Sequence, residues 1–129
     1  MRRLIDKPDQ LTIARRFEID PEGPPPALDL ILLGMGPDGH TASLIPGEPV
    51  LDEQERWVAE VTHGRPEPRI TLTYPALDSS RSTAFVAAGG DKHAMMQRVV
   101  AGELELPAAR IRPVGELIWF IDEAAHGGR

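Results

Sequence analysis

The chain has 129 residues, 41% of them hydrophobic, which is enough for one domain with its own core. Its 20 acidic against 14 basic side chains leave a net charge of −6, which argues against nucleic-acid binding as a general role, because such proteins carry a basic surplus. With no cysteine, disulfides and thiolate metal sites are excluded, and no apolar run approaches the roughly 20 residues of a membrane span. Met1-Arg2-Arg3-Leu4-Ile5 passes at once into Asp6 and Lys7, unlike a signal peptide, so a soluble cytoplasmic protein is expected.

The first 20 residues are rich in charge, with a short helix expected at 11–17 after Asp9 as its cap. The run Pro21-Glu22-Gly23-Pro24-Pro25-Pro26 predicts a stiff extended connector. Residues 28–33, a short and nearly unbroken apolar run ending at Gly34, predict a fully buried parallel strand. One or two helical turns are expected at 41–44 and a weakly alternating strand at 57–62. A clearer strand follows at 69–74, with Ile70, Leu72 and Tyr74 on its apolar face and the threonines opposite. Residues 75–81 predict a short helix or turn, and 83–88 another buried strand. Asp91 is expected to cap a helix running to about Ala101, with Met95, Val99 and Ala94 or Met96 inward. After a loop or half-turn at 106–114, the last strand is expected at 117–121, and 122–125 trail out. Strands alternating with short helices indicate a Rossmann-like α/β/α fold with a mainly parallel sheet. The expected organisation is a helix and proline-rich connector at 1–27 and an α/β part at 28–129.

The densest chemistry lies just after the first strand, where Gly34, Gly36 and Gly39 surround Asp38 and lead to His40. Such loops deliver polar groups to the carboxyl edge of an α/β sheet, where these folds bind ligands. The spacing Gly34-x-Gly36-x-x-Gly39 matches the dinucleotide fingerprint, but that needs a helix of useful length starting inside it. Pro46 and Gly47 leave room for barely two turns, and Pro37 removes a backbone donor from the cradle. The glycines are better read as allowing a sharp turn and a close approach to a ligand.

His40 can exchange a proton near neutral pH, and on spacing alone it serves equally as a base or as a ring that caps its loop. Asp38, two residues earlier, can receive the imidazole N–H or simply close an Asx-turn. Lys92 stands at a helix start, where a cation beside backbone donors favours an anion, and Arg69 opens a strand with a fork suited to two phosphate oxygens. Each of these two cations has the plainer alternative of a solvated surface side chain. His63, His93 and His126 read as solvent-facing, the four histidines show no metal-ligand spacing, and Trp57, Trp119 and the Met95–Val99 stripe read as packing.

Four blocks, in order, closely resemble the 6-phosphogluconolactonase family. They are Leu33-Gly34-Met35-Gly36-Pro37-Asp38-Gly39-His40-Thr41-Ala42-Ser43-Leu44-Ile45-Pro46-Gly47, Arg69-Ile70-Thr71-Leu72-Thr73-Tyr74-Pro75-Ala76-Leu77, Gly89-Gly90-Asp91-Lys92, and Leu117-Ile118-Trp119-Phe120-Ile121-Asp122-Glu123-Ala124-Ala125. The resemblance implies hydrolysis of a sugar-phosphate lactone in the pentose phosphate pathway without cofactor or metal. It implies His40 as general base and Arg69 and Lys92 on the 6-phosphate; the residues themselves add Asp38 as the partner of His40 and Gly36 and Gly39 against the substrate. Glucosamine-6-phosphate deaminases of the same superfamily carry an acid five residues after the histidine; here that position is Ile45, which favours the lactonase.

Lactonases of this family are roughly twice as long for one domain. Their amino-terminal half carries a Gly-Gly-Ser/Thr phosphate loop with an acidic and basic pair, and residues 1–27 resemble neither. The chain is therefore expected to be the carboxy-terminal part of such an enzyme, with an incomplete sheet. Its exposed edge is expected to promote self-association, and a non-catalytic sugar-phosphate-binding domain is the alternative.

Overall fold

The computed structural model describes residues 18–20 and 22–128; the helix expected at 11–17 and its cap Asp9 lie outside the described residues. Three strands, β1 (Ile31–Leu33), β4 (Ser82–Ala87) and β5 (Glu116–Ile121), form a parallel sheet in the order β1-β4-β5. Between β1 and β4 the chain builds an antiparallel pair, β2 (Val58–Val61) and β3 (Arg69–Leu72), and helix α1 (Tyr74–Asp78). Helix α2 (His93–Val100) bridges β4 and β5, and α3 (Glu123–His126) follows the last strand. The result is the mainly parallel α/β sheet that alternating strands and helices predict, small as the length of the resembling family implies.

The two faces of the sheet differ. Ile31, Leu33, Phe85 and Ala87 point into one core with Leu77 of α1 and Met96 and Val99 of α2. Trp119 stacks on Phe85, ring centroids 4.1 Å apart and planes 6° from parallel. Because side chains alternate along a strand, the intervening residues face the other way. There Leu30 is 57%, Leu32 67%, Val86 55% and Phe120 58% exposed. The first strand and the strand at 83–88 are therefore buried on one face rather than both, since no helix among the described residues covers the second.

Three local expectations change. Residues 41–44 form a tight turn closed by a Thr41–Leu44 bridge, not a helix, so no helix amino terminus stands behind the three glycines. In β3 the threonine side is the buried one. Thr71 accepts the Ser43 amide at 3.0 Å, Thr73 donates to the Arg56 carbonyl, and Ile70 is left outside opposite Glu60. Tyr74 begins α1 instead of ending the strand. Hydroxyls that satisfy buried backbone groups can occupy interior positions that a count of apolar residues assigns to isoleucine.

Asp91 does not cap α2; it falls in a 3₁₀ turn, Gly90–Lys92, and Ala94 is exposed while Met96 and Val99 are buried. Residues 122–125 do not trail out. Asp122 caps α3, accepting the Ala125 amide at 2.8 Å and also the Gly89 amide at 3.1 Å, which ties the end of β5 to the end of β4. His93, expected to face solvent, is half-buried with Nδ1 3.1 Å from the Ala125 carbonyl, so it joins α2 to α3. No helix among the described residues is long and apolar enough to cross a membrane.

Candidate active site

Strand β1 ends at Leu33, and the next eleven residues fold back over the carboxyl edge of the sheet. The loop is closed by its own backbone. The Gly36 amide donates to the His40 carbonyl at 2.9 Å, and the Gly39 amide to the Gly36 carbonyl at 3.1 Å. Thr41, buried, donates its hydroxyl to the Gly34 carbonyl at 2.8 Å. From outside, the Ala108 amide donates to the Gly39 carbonyl at 3.0 Å.

Two glycines are dictated by this geometry. A Cβ on Gly36 would lie 2.0 Å from Cε1 and Nδ1 of His40, so the imidazole lies directly over that residue. Gly39 has φ +81°, a left-handed conformation that side chains rarely adopt, and a Cβ there would meet Leu106 at 2.9 Å. The expected close approach at Gly36 is thus made first by the chain's own histidine.

His40 is half-buried. Its Nδ1 stands 2.5 Å from Asp38 Oδ1, which also accepts the His40 backbone amide at 3.1 Å. Burial pushes the Asp38 carboxyl up, but the hydrogen bonds from Arg65 and His40 outweigh it and hold the group well below the usual carboxylate range. An ionised carboxylate only accepts, so the Nδ1 that faces it carries a proton and the ring is held by that side. The sequence left open whether Asp38 closes an Asx-turn or receives the imidazole; the same oxygen does both.

Arg65, from the loop between β2 and β3, joins them without a sequence motif of its own. Its Nη2 lies 2.9 Å from Asp38 Oδ2 and 3.3 Å from His40 Nδ1, while Nη1 donates to the Gly64 carbonyl at 2.8 Å. Its only local signal is an arginine beside a glycine in a proline-rich turn. Its separation of 27 positions from Asp38 hides the partnership.

Lys92 reaches the same loop, its Nζ donating to the Met35 carbonyl at 2.8 Å. Arg69, exposed, is at the start of β3 on the same strand face as Thr71, which receives the Ser43 amide three residues beyond His40. Among the described residues no ion pair engages Arg69 or Lys92, so both charges remain available to an anion. His63 and His126 are exposed, and no group of His, Asp and Glu among the described residues is arranged to hold a metal.

Comparison with known proteins gives the family and the fold. A family described as glucosamine-6-phosphate isomerases/6-phosphogluconolactonase matches residues 7–119. The chain is 49% identical over 104 residues to a 6-phosphogluconolactonase of Rattus norvegicus and 48% over 105 residues to one of Homo sapiens. Each alignment covers 78% of this chain, but only 40% and 41% of the relative. Among solved structures, a devB protein superposes with TM-score 0.79 at 28% identity, covering 93% of this chain and 53% of that one. A 6-phosphogluconolactonase of Leishmania guyanensis gives 0.68 at 29%, covering 80% and 42%. A monomeric glucosamine-6-phosphate deaminase, at 17% identity and TM-score 0.62, shares the fold. The chain therefore spans about half the length of the relatives it matches, and it belongs to the glucosamine-6-phosphate isomerase/6-phosphogluconolactonase family.

Proposed function

We propose that this chain is the carboxy-terminal part of a cytoplasmic 6-phosphogluconolactonase. It would hydrolyse 6-phospho-D-glucono-1,5-lactone to 6-phosphogluconate in the oxidative pentose phosphate pathway. The observation that carries the proposal is the 2.5 Å contact of His40 Nδ1 with an ionised Asp38, which leaves Nε2 free to accept a proton. Water adds to the lactone carbonyl as Nε2 takes its proton. The tetrahedral adduct then collapses with cleavage of the ring ester bond, and the same proton passes to the departing ring oxygen. Arg69 and Lys92 hold the phosphate, remote from the reacting carbon, and the backbone at Gly36 and Gly39 borders the sugar. None of these steps requires a metal or cofactor.

Deamination of glucosamine 6-phosphate is the weaker reading, because position 45 is an isoleucine 4% exposed in the core and supplies no carboxylate. Self-association belongs to the same proposal: β1 and β5 are the two edges of the sheet, and edges left open pair with other chains. The test is the rate of lactone opening by the full chain against its His40→Ala variant, both above the spontaneous background. A loss of about 10²–10⁴-fold is expected on removing the base. Equal rates, or release of ammonia from glucosamine 6-phosphate, would overturn the assignment.

A further inference from the structure

We infer, on the reading of His40 as the base, that Arg65 is a positioning residue: it occupies the outer oxygen of Asp38, so that the carboxylate orients the imidazole while its negative charge is opposed. The need for such a group follows from the Asp38–His40 pair itself. A carboxylate against an imidazole fixes the tautomer, but its charge also favours the imidazolium, which can take no proton from water. The pair is only half-buried, so burial alone does not oppose that second proton.

Arg65 supplies the opposing charge at the right place. Nη2 engages Oδ2, the oxygen that His40 does not use, at 2.9 Å and stands 3.3 Å from Nδ1. Nη1 is fixed by the Gly64 carbonyl, so the guanidinium is held from both ends. The groups facing the ring are then Asp38 from its own loop and Arg65 from the β2–β3 loop. Lys92 approaches the same loop from the start of α2, through the carbonyl of Met35. Arg65 therefore sets a positive charge against the far oxygen of Asp38 while the near oxygen still holds Nδ1.

The experiment is an NMR titration of the His40 ring in the full chain, with the resonance assigned by loss in His40→Gln. It is run on the parent, Arg65→Gln, Arg65→Ala and Arg65→Lys. Two charge-removing variants are used so that the outcome does not hang on the folding of one. Removing a unit charge a few ångströms away in a half-exposed site is expected to raise the His40 midpoint by about one pH unit. Arg65→Lys is expected to restore most of it. In lactone hydrolysis the acid limb of kcat/KM moves upward by the same amount, with KM at high pH unchanged. A His40 midpoint that stays put in a folded charge-removing variant overturns the inference. So does a raised KM with an unmoved midpoint, which would make Arg65 a substrate contact. If the midpoint moves but the parent opens no lactone, the role of Arg65 stands and the proposed reaction falls.

Discussion

The loop beyond the tip of β1 and the outer face of the strand that carries it make opposite use of neighbouring residues. Between Gly34 and Leu44 the polar groups are closed on one another: Thr41 on Gly34, Gly36 on His40, His40 on Asp38, and Asp38 on Arg65. A few residues back, Leu30 and Leu32 point outward beside Val86 and Phe120 with no helix among the described residues above them. The loop is built from eleven consecutive residues and a few contacts from the strands and turns beside it, so a chain half the length of its relatives holds all of it. Covering a parallel sheet is a different task, because it needs a separate layer of chain. Orientation of the His40 imidazole and closure of the hydrophobic sheet are thus separable in this fold.

Asp38→Asn tests that separation most severely. The amide can no longer act as a purely accepting, charged partner, so the tautomer of His40 is lost, and lactone opening is expected to fall by about 10²–10⁴-fold. The fold should persist at neutral pH, because the carboxylate is over a third exposed and its ion pair is screened. The pH dependence has a definite sign. Asp38 is more acidic folded than unfolded, so its contribution is present above the unfolded value near 4 and fades as pH falls below it. Thermal melts of parent and Asp38→Asn should therefore converge in acid.

Gly36→Ala probes the same loop by volume alone. The new methyl would stand 2.0 Å from the imidazole, so the ring must leave Asp38 or the turn must open. Displacement of a reacting group by about 1 Å lowers rates by about 10²-fold, which is the expected loss. A crystal structure of the variant with His40 still against Asp38 would contradict it.

How much of this was legible beforehand depends on the range of each interaction. Gly36, Asp38, Gly39 and His40 stand within five residues, and their turn chemistry marks them in the sequence. Lys92 was marked by its glycines, and its contact with Met35 spans 57 positions that only the fold brings together. Arg65 was invisible for the same reason, without a motif to compensate. The error in β3 has another cause: a pattern of alternating hydrophobicity assumes that threonine seeks water, whereas Thr71 and Thr73 are buried on hydrogen bonds to loops. The apolar runs of β1 and β4 announced strands, but the cover expected on both faces is met on one, since no helix among the described residues lies over Leu32 and Val86.

Two predictions concern the struts under the loop. Tyr74 donates its hydroxyl to the Pro107 carbonyl at 3.0 Å, next to Ala108, whose amide holds Gly39. Burial pushes the Tyr74 phenol up to about 12, although the charge of Arg110 works against it. Because the folded value lies above the unfolded one, this contribution is complete below about pH 10 and is lost as pH rises towards 12. It should amount to about 2–3 kcal/mol, seen as a drop in urea midpoint that Tyr74→Phe lacks. Thr71→Val removes the acceptor of the Ser43 amide and leaves that donor unsatisfied. A loss of about 1–2 kcal/mol in denaturant unfolding is expected, with activity reduced less than in Gly36→Ala.

The smallest effect on stability is expected at the bare face, and it is the one that could break the comparison. Leu32→Lys with Phe120→Lys replaces two outward side chains on opposite edge strands of the sheet. If that face meets only water in the isolated chain, unfolding free energy should change by no more than about 0.5 kcal/mol. The parent should show concentration-dependent association in sedimentation velocity, and the double variant should run as a monomer, since lysines on a sheet oppose pairing. If residues outside the described part already covered the face, burying two lysines there would remove about 1.5–3 kcal/mol per lost apolar side chain, and sedimentation would be unchanged. Full activity in a monomeric double variant would then place the orienting machinery wholly within one copy of the chain.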